Sequence, residues 1–186
     1  MKTKYKDRSF TITDYHGGNN FEHLRDFLAP AHLNTCAANE HIGDIEISIR
    51  TIKDQVRCGC HSIPYKKFTK LMTRYMVQVM IHFLNMLLSQ NGISSALIPE
   101  AIILGSPNPY YNKLKITFGA YEQVYIGTTN STKQRMVGVI SLRPSNERGG
   151  YYFMSLVIIK QLHAFIWTKL PINYQFIYRV NNLDTK

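Results

Sequence analysis

The run FTKLMTRYMVQVMIHFLNMLL, from Phe68, constrains the fold more than any other stretch. It is apolar enough to suggest a membrane span, but Lys70, Arg74, Gln78, His82 and Asn85 interrupt it at spacings of three and four. That spacing draws one polar stripe along an α-helix. A span would carry those charges into hydrocarbon, so the run predicts a long, largely buried helix over 67–88 and no membrane partner.

A second helix precedes it. Ile42, Ile45, Ile49, Ile52 and Val56 share one apolar face, with Asn39 as the expected cap and Glu40 and Asp44 in the first turns. Gly59 and Pro64 are expected to end it. Upstream, SFTITDY from Ser9 reads as a strand, HGGNN from His16 as a turn, FEHLRDFLAP as a short helix or loop, and HLNTCAA from His32 as another short strand.

The character changes after the link SQNGISSALIPEAIILGSPNPYYN. LKITFGAYEQVYI, QRMVGVISLRP, GGYYFMSLVII and HAFIWTKLP are β-rich runs separated by turn signals, and predict a small all-β module of about five strands.

Composition matters chiefly through charge. The formal net charge is +10 in 186 residues, and hydrophobic residues make up 45%, too many for a disordered tail. Residues 1–60 hold eight Lys/Arg and eight Asp/Glu, while residues 61–186 hold fourteen against four. Such a field favours a polyanion. In the β module Tyr110, Tyr111, Tyr121, Tyr125, Tyr151, Tyr152, Phe153 and Trp167 interleave with Lys113, Lys115, Lys133, Arg135, Arg143, Arg148, Lys160 and Lys169. Cations and aromatic platforms suit nucleic-acid backbones and bases, although a small module needs many of those rings for its core.

Cys36, Cys58 and Cys60 form an odd set, and MKTKYKDRSF has no apolar core of a signal peptide, so a nuclear or cytoplasmic protein is expected rather than a secreted one. CGCH at Cys58–His61 lacks the spacing of a zinc site, even with Cys36, His32 and His41 nearby in sequence. Neither a serine nucleophile motif nor a phosphate-binding glycine loop is present. On the first helix Glu46, Arg50, Lys53 and Arg57 form a stripe beside the isoleucines. Glu46 with Arg50 is an ordinary i,i+4 pair, whereas two-metal phosphoryl transfer needs several carboxylates. Asp14 is the best-placed second carboxylate, ahead of Asp44, Asp26 and Glu22.

AANEHIGDIEISIRTIKDQVR, from Ala37, resembles the end of the catalytic core of Ty1/copia-type retrotransposon integrases, with Glu46 on the last carboxylate of the Asp-Asp-Glu triad and Arg50, Thr51 and Ile52 on the following Arg-Thr-Ile. LIPEAIILG, FGAYEQVY, RMVGVISLRPSNERGGYYFMSL and HAFIWTKLPI are similar to the segments that follow in that family. The resemblance implies an α+β chain: a partial RNase H-like core over 1–90, a linker over 91–113, a small SH3-like β-barrel over 114–175 and a tail over 176–186. It also implies DNA as a non-specific partner through Arg50, Lys53, Arg57, Lys113, Lys115, Lys133 and Arg135. Mg2+ or Mn2+ on Glu46 and Asp14 is implied only if the ancestral activity survives. The departures are large. GGNNF puts Gly18 and Asn20 where the family carries acids, Ile47 replaces an arginine, and the strand bearing the first Asp is missing. The expectation is therefore a truncated, degenerate fragment without strand transfer or a resident cofactor. An active nuclease using Asp14 and Glu46, or a self-associating interaction fragment, are the alternatives.

Overall fold

The computed structural model describes residues 5–7, 9–36, 43–88, 94–105, 115–127, 130, 132, 134–145 and 148–183. The chain divides into two compact units, one of Met1–Ile52 with Asn85–Pro109 and one of Lys53–Leu84 with Tyr110–Lys186. The fold is mixed α+β with two sheets.

In the first unit β1 (Asp14–Gly18) and β2 (His32–Cys36) pair in parallel, with Asp14 opposite His32 and Gly18 opposite Cys36. Parallel neighbours need a crossover. A 3-10 turn over Asn19–Leu24 and the one-turn helix α1 (Arg25–Leu28) supply it. Gly17 and Gly18 continue the strand, so of HGGNN, expected as a turn, the first three residues are strand and the last two open the 3-10 turn. Glu22 ties this crossover together, accepting from Arg25 and from the Thr35 hydroxyl of β2.

Helix α2 (Gly43–Ser62) runs past Gly59, the residue expected to end it. Gly59 is buried, and a Cβ there would come within 2.5 Å of the Met80 methyl and 3.0 Å of the Met76 sulfur of α3 (Lys70–Met86). The missing side chain lets the two helices approach. Asn39 and Glu40 lie outside the described residues. The isoleucine face also departs from expectation at its N-terminal end. Ile45 is 39% and Ile49 45% exposed, while Val56 packs into the core of the second unit. Helix α3 matches its pattern: Met72, Tyr75, Met76 and Val79 are buried at helical spacing, and Lys70, Arg74 and Gln78 face solvent. Among the described residues no helix is long and apolar enough to cross a membrane. Helix α4 (Pro99–Leu104) starts on a proline and ends at Gly105 in the left-handed region.

The second unit carries five antiparallel strands: β3 (Tyr121–Tyr125), β4 (Met136–Pro144), β5 (Tyr151–Ser155), β6 (Gln161–Ala164) and β7 (Trp167–Lys169). Their order is β6-β5-β4-β3-β7. The ladders end at β6, which pairs only with β5, and at β7, which pairs only with β3. The sheet is thus open, and the expected closed SH3-like barrel is not formed.

Both faces of the open sheet are covered. On one, Ile140, Leu142 and Met154 pack with α3, Tyr65 and Phe118. On the other, Val124, Val139 and Phe153 pack with Ile116, Tyr151 and Trp167. Ile140 and Leu142, two residues apart on β4, share the helix-side face, and a register shift lies between Ser141 and Arg143. Helix α5 (Tyr174–Asn181) closes that core with Phe176 and Val180, one turn apart, and the Asn173 side chain caps its first turn by accepting from the Phe176 N–H at 3.0 Å. The Phe176 ring stacks on Tyr121 with centroids 3.9 Å apart.

Candidate nucleic-acid interface

Charge separates between the compact units more sharply than along the chain. The first holds six Lys/Arg and eight Asp/Glu; the second holds sixteen against four. Among the described residues of the second unit twelve cations are exposed: Lys53, Arg57, Lys66, Lys67, Lys70, Arg74, Lys115, Arg135, Arg148, Lys160, Lys169 and Arg179. The described carboxylates there are only two. Asp54 is exposed and pairs with Arg57 at 2.6 Å, which is worth little at such exposure. Glu122 is fully buried, and burial raises its pKa. Among the described residues, the exposed charge of this unit is therefore almost wholly positive.

Folding gives part of this charge a fixed geometry. The Asn181 side-chain oxygen of α5 accepts from the backbone N–H groups of Lys66 and Lys67, at 2.9 and 3.1 Å. One side-chain amide thereby holds the loop between α2 and α3 against α5. Tyr178, three residues before Asn181, flanks the same side of the helix and is 73% exposed. Tyr174, one turn earlier, is 90% exposed. The pair forms an exposed aromatic strip on the helix whose end holds the Lys66–Lys67 backbone.

The sequence-predicted residues divide three ways. Arg50, Lys53 and Arg57 are exposed along α2, and Lys115 and Arg135 are exposed in the second unit. Lys113 and Lys133 lie outside the described residues, as do Tyr110 and Tyr111. The remaining aromatics taken as platforms are not exposed: Tyr121, Tyr151 and Phe153 are buried, and Tyr125, Tyr152 and Trp167 half-buried. Among the described residues of the second unit the exposed Phe, Tyr and Trp rings are instead Phe83, Phe165, Tyr174 and Tyr178. The expected division puts Tyr174 at the end of the β module over 114–175 and Tyr178 in the tail over 176–186, and takes neither as a platform. The signal was Asn173 as a cap with Phe176 and Val180 one turn apart.

Asp14 is exposed at the start of β1, and Glu46 is exposed on the first turn of α2. Glu22 is held with Arg25, whose hydrogen bond, followed by that of Thr35, lowers its pKa. Asp26 is exposed on α1, and the Asp44 side chain lies outside the described residues. Among the described residues no group of three or more His, Cys, Asp or Glu could hold a metal ion. In CGCH, Cys58 is exposed and Cys60 half-buried, and burial pushes the Cys60 thiol up, away from the thiolate a metal needs.

No protein family model matches this chain, and no curated protein matches it. Together with the open sheet, this overturns the Ty1/copia-type integrase resemblance: nothing identifies the chain as an integrase fragment, with an RNase H-like core or an SH3-like module.

Proposed function

We propose that the second unit binds nucleic acid without sequence specificity, through phosphate contacts from its exposed cations. The observation that supports this reading is the ratio of charges: twelve exposed cations to one exposed carboxylate among its described residues. Such a surface attracts a polyanion over distances comparable with the Debye length. The exposed rings of Tyr174 and Tyr178, on the helix that holds the Lys66–Lys67 loop, add faces on which unpaired bases can stack. The main-chain anchoring of that loop reduces the ordering needed on binding.

The test is fluorescence anisotropy of labelled duplex and single-stranded DNA of unrelated sequences, titrated with the full chain at rising salt. Binding should weaken steeply and linearly in log–log form, with similar affinity for each sequence and tighter binding to single strands. No binding at low salt, or affinity insensitive to salt, would remove the proposal.

A further inference from the structure

A hollow of about 250 Å3 opens in the second unit between α3 and the end of β4, lined by Gln78, Val79, Ile81, His82, Arg143 and Pro144. Arg143 is its only charged wall. The guanidinium lies 4.9 Å from the Tyr152 ring centroid and 5.7 Å from that of Tyr75, so two aromatic faces hold it in place. One terminal nitrogen donates to the Pro144 carbonyl at 3.1 Å. The Nε atom is buried and has no hydrogen-bond partner among the described residues. Neither described carboxylate of this unit serves it: Asp54 is engaged by Arg57, and Glu122 stands opposite Val139 on the other face of the sheet. A half-buried guanidinium with an unused donor calls for an anion.

A second hollow of about 240 Å3 shares Val79, His82 and Pro144 with the first, and beyond them its walls are Thr117 and the apolar Phe83, Ile116, Phe118 and Leu142. A cation at one end and hydrocarbon at the other define an amphipathic ligand. We infer that the joined hollows bind a small monocarboxylate with an apolar tail, its carboxylate on Arg143 and its tail toward Phe118 and Leu142. A planar carboxylate matches the guanidinium fork, and a single negative charge matches a single cation. A phosphate dianion would leave one charge unmatched among apolar walls. This site is independent of the nucleic-acid surface, since Arg143 is not among the exposed cations.

The full chain, isotopically labelled for NMR, is titrated with hexanoate, with hexanamide as its uncharged counterpart, with acetate, and with inorganic phosphate. Hexanoate should saturate and shift resonances around Gln78–His82 and Arg143. It should bind about tenfold more tightly than hexanamide or acetate. Arg143→Gln should reduce hexanoate to the level of hexanamide. Ile81→Trp, at a position 38% exposed, fills the hollow without touching the Arg143 stack, and should abolish binding in a normally folded chain even if Arg143→Gln fails to fold. Equal binding of hexanoate and hexanamide, phosphate binding as tightly at the same residues, unchanged binding by Ile81→Trp, or no saturation would each overturn the assignment.

Discussion

Lys169 stands directly opposite Glu122 across the β3–β7 ladder, yet the Glu122 carboxylate is fully buried with neither oxygen hydrogen-bonded among the described residues. Burial pushes this carboxyl up, and Lys169 only partly opposes the shift. An acid whose folded pKa exceeds its unfolded value holds its proton more tightly in the folded state. Its contribution is complete below the ordinary carboxylate range and is lost as pH climbs through the raised value. Glu122→Gln removes that loss. The variant should gain about 1–2 kcal/mol over the wild type at neutral pH, a rise of a few degrees in Tm, and little at pH 4. Thermal unfolding followed by circular dichroism across that range checks it; identical pH slopes for the two proteins would refute the role given to Glu122.

Two glycines in the second unit make room for side chains of different stiffness, and alanine should tell them apart. At Gly138 an added Cβ would lie 2.9 Å from the Tyr121 hydroxyl oxygen and 3.3 Å from its ring, which Phe176 covers on α5. The ring has little freedom to withdraw, so Gly138→Ala should cost about 1–3 kcal/mol. At Gly59 the obstructing atoms are the ends of Met80 and Met76, which rotate away easily, and alanine favours a helix interior by about 1 kcal/mol. Gly59→Ala should therefore fall within about 1 kcal/mol of the wild type. Urea denaturation of both variants decides it, and equal losses would mean the Tyr121–Phe176 stack is no stiffer than a methionine.

What could be read in advance follows from what each sequence signal measures. Periodicity reports which side chains share a face, and it located α3 and its buried methionines well. It does not report whether a partner covers that face, which is why Ile45 and Ile49 were expected inside and stand half in solvent. Runs of β-formers located the five strands of the second unit, but closure depends on whether edge strands meet, and no single strand's composition encodes that. SFTITDY was expected as the first strand, whereas the ladder begins at Asp14 because its parallel partner begins at His32. Glycine carried the opposite meaning from the expected one at position 59, since a missing side chain both weakens a helix and permits close packing. The cationic surface was legible by counting. The Asn181 clamp and the Arg143–Tyr75 contact were not, because each joins residues more than sixty positions apart.

The clamp itself gives a third expectation. Asn181 Oδ1 accepts two backbone N–H groups, from Lys66 and Lys67. Both donors lie near solvent, so water replaces the amide when it is removed and the stability loss should be modest. Asn181→Ala is expected to cost about 1 kcal/mol. The larger effect should be local, with amide hydrogens of Lys66 and Lys67 exchanging much faster than in the wild type while those of the β4–β5 ladder stay protected. Unchanged exchange at the two lysines would show that something other than Asn181 holds the loop.

The last expectation concerns how phosphate contacts are distributed. If the loop held by Asn181 forms part of the binding surface, Lys66→Gln with Lys67→Gln removes two cations from it. Each lost phosphate contact lowers the log–log salt slope by about 0.9 on duplex DNA, so the double variant should lower it by about 2 and weaken binding equally for every sequence. Tyr178→Ala should leave that slope unchanged, because a ring releases no counterions, but should weaken single-stranded DNA by about 1–3 kcal/mol and duplex much less. Arg25→Gln, in the unit without excess positive charge, should change neither affinity nor slope. Anisotropy titrations of the three variants separate the terms. A salt slope unchanged by the double substitution would place the contacts elsewhere among the exposed cations, and a slope lowered by Arg25→Gln would mean that binding does not follow the charge division between the two units.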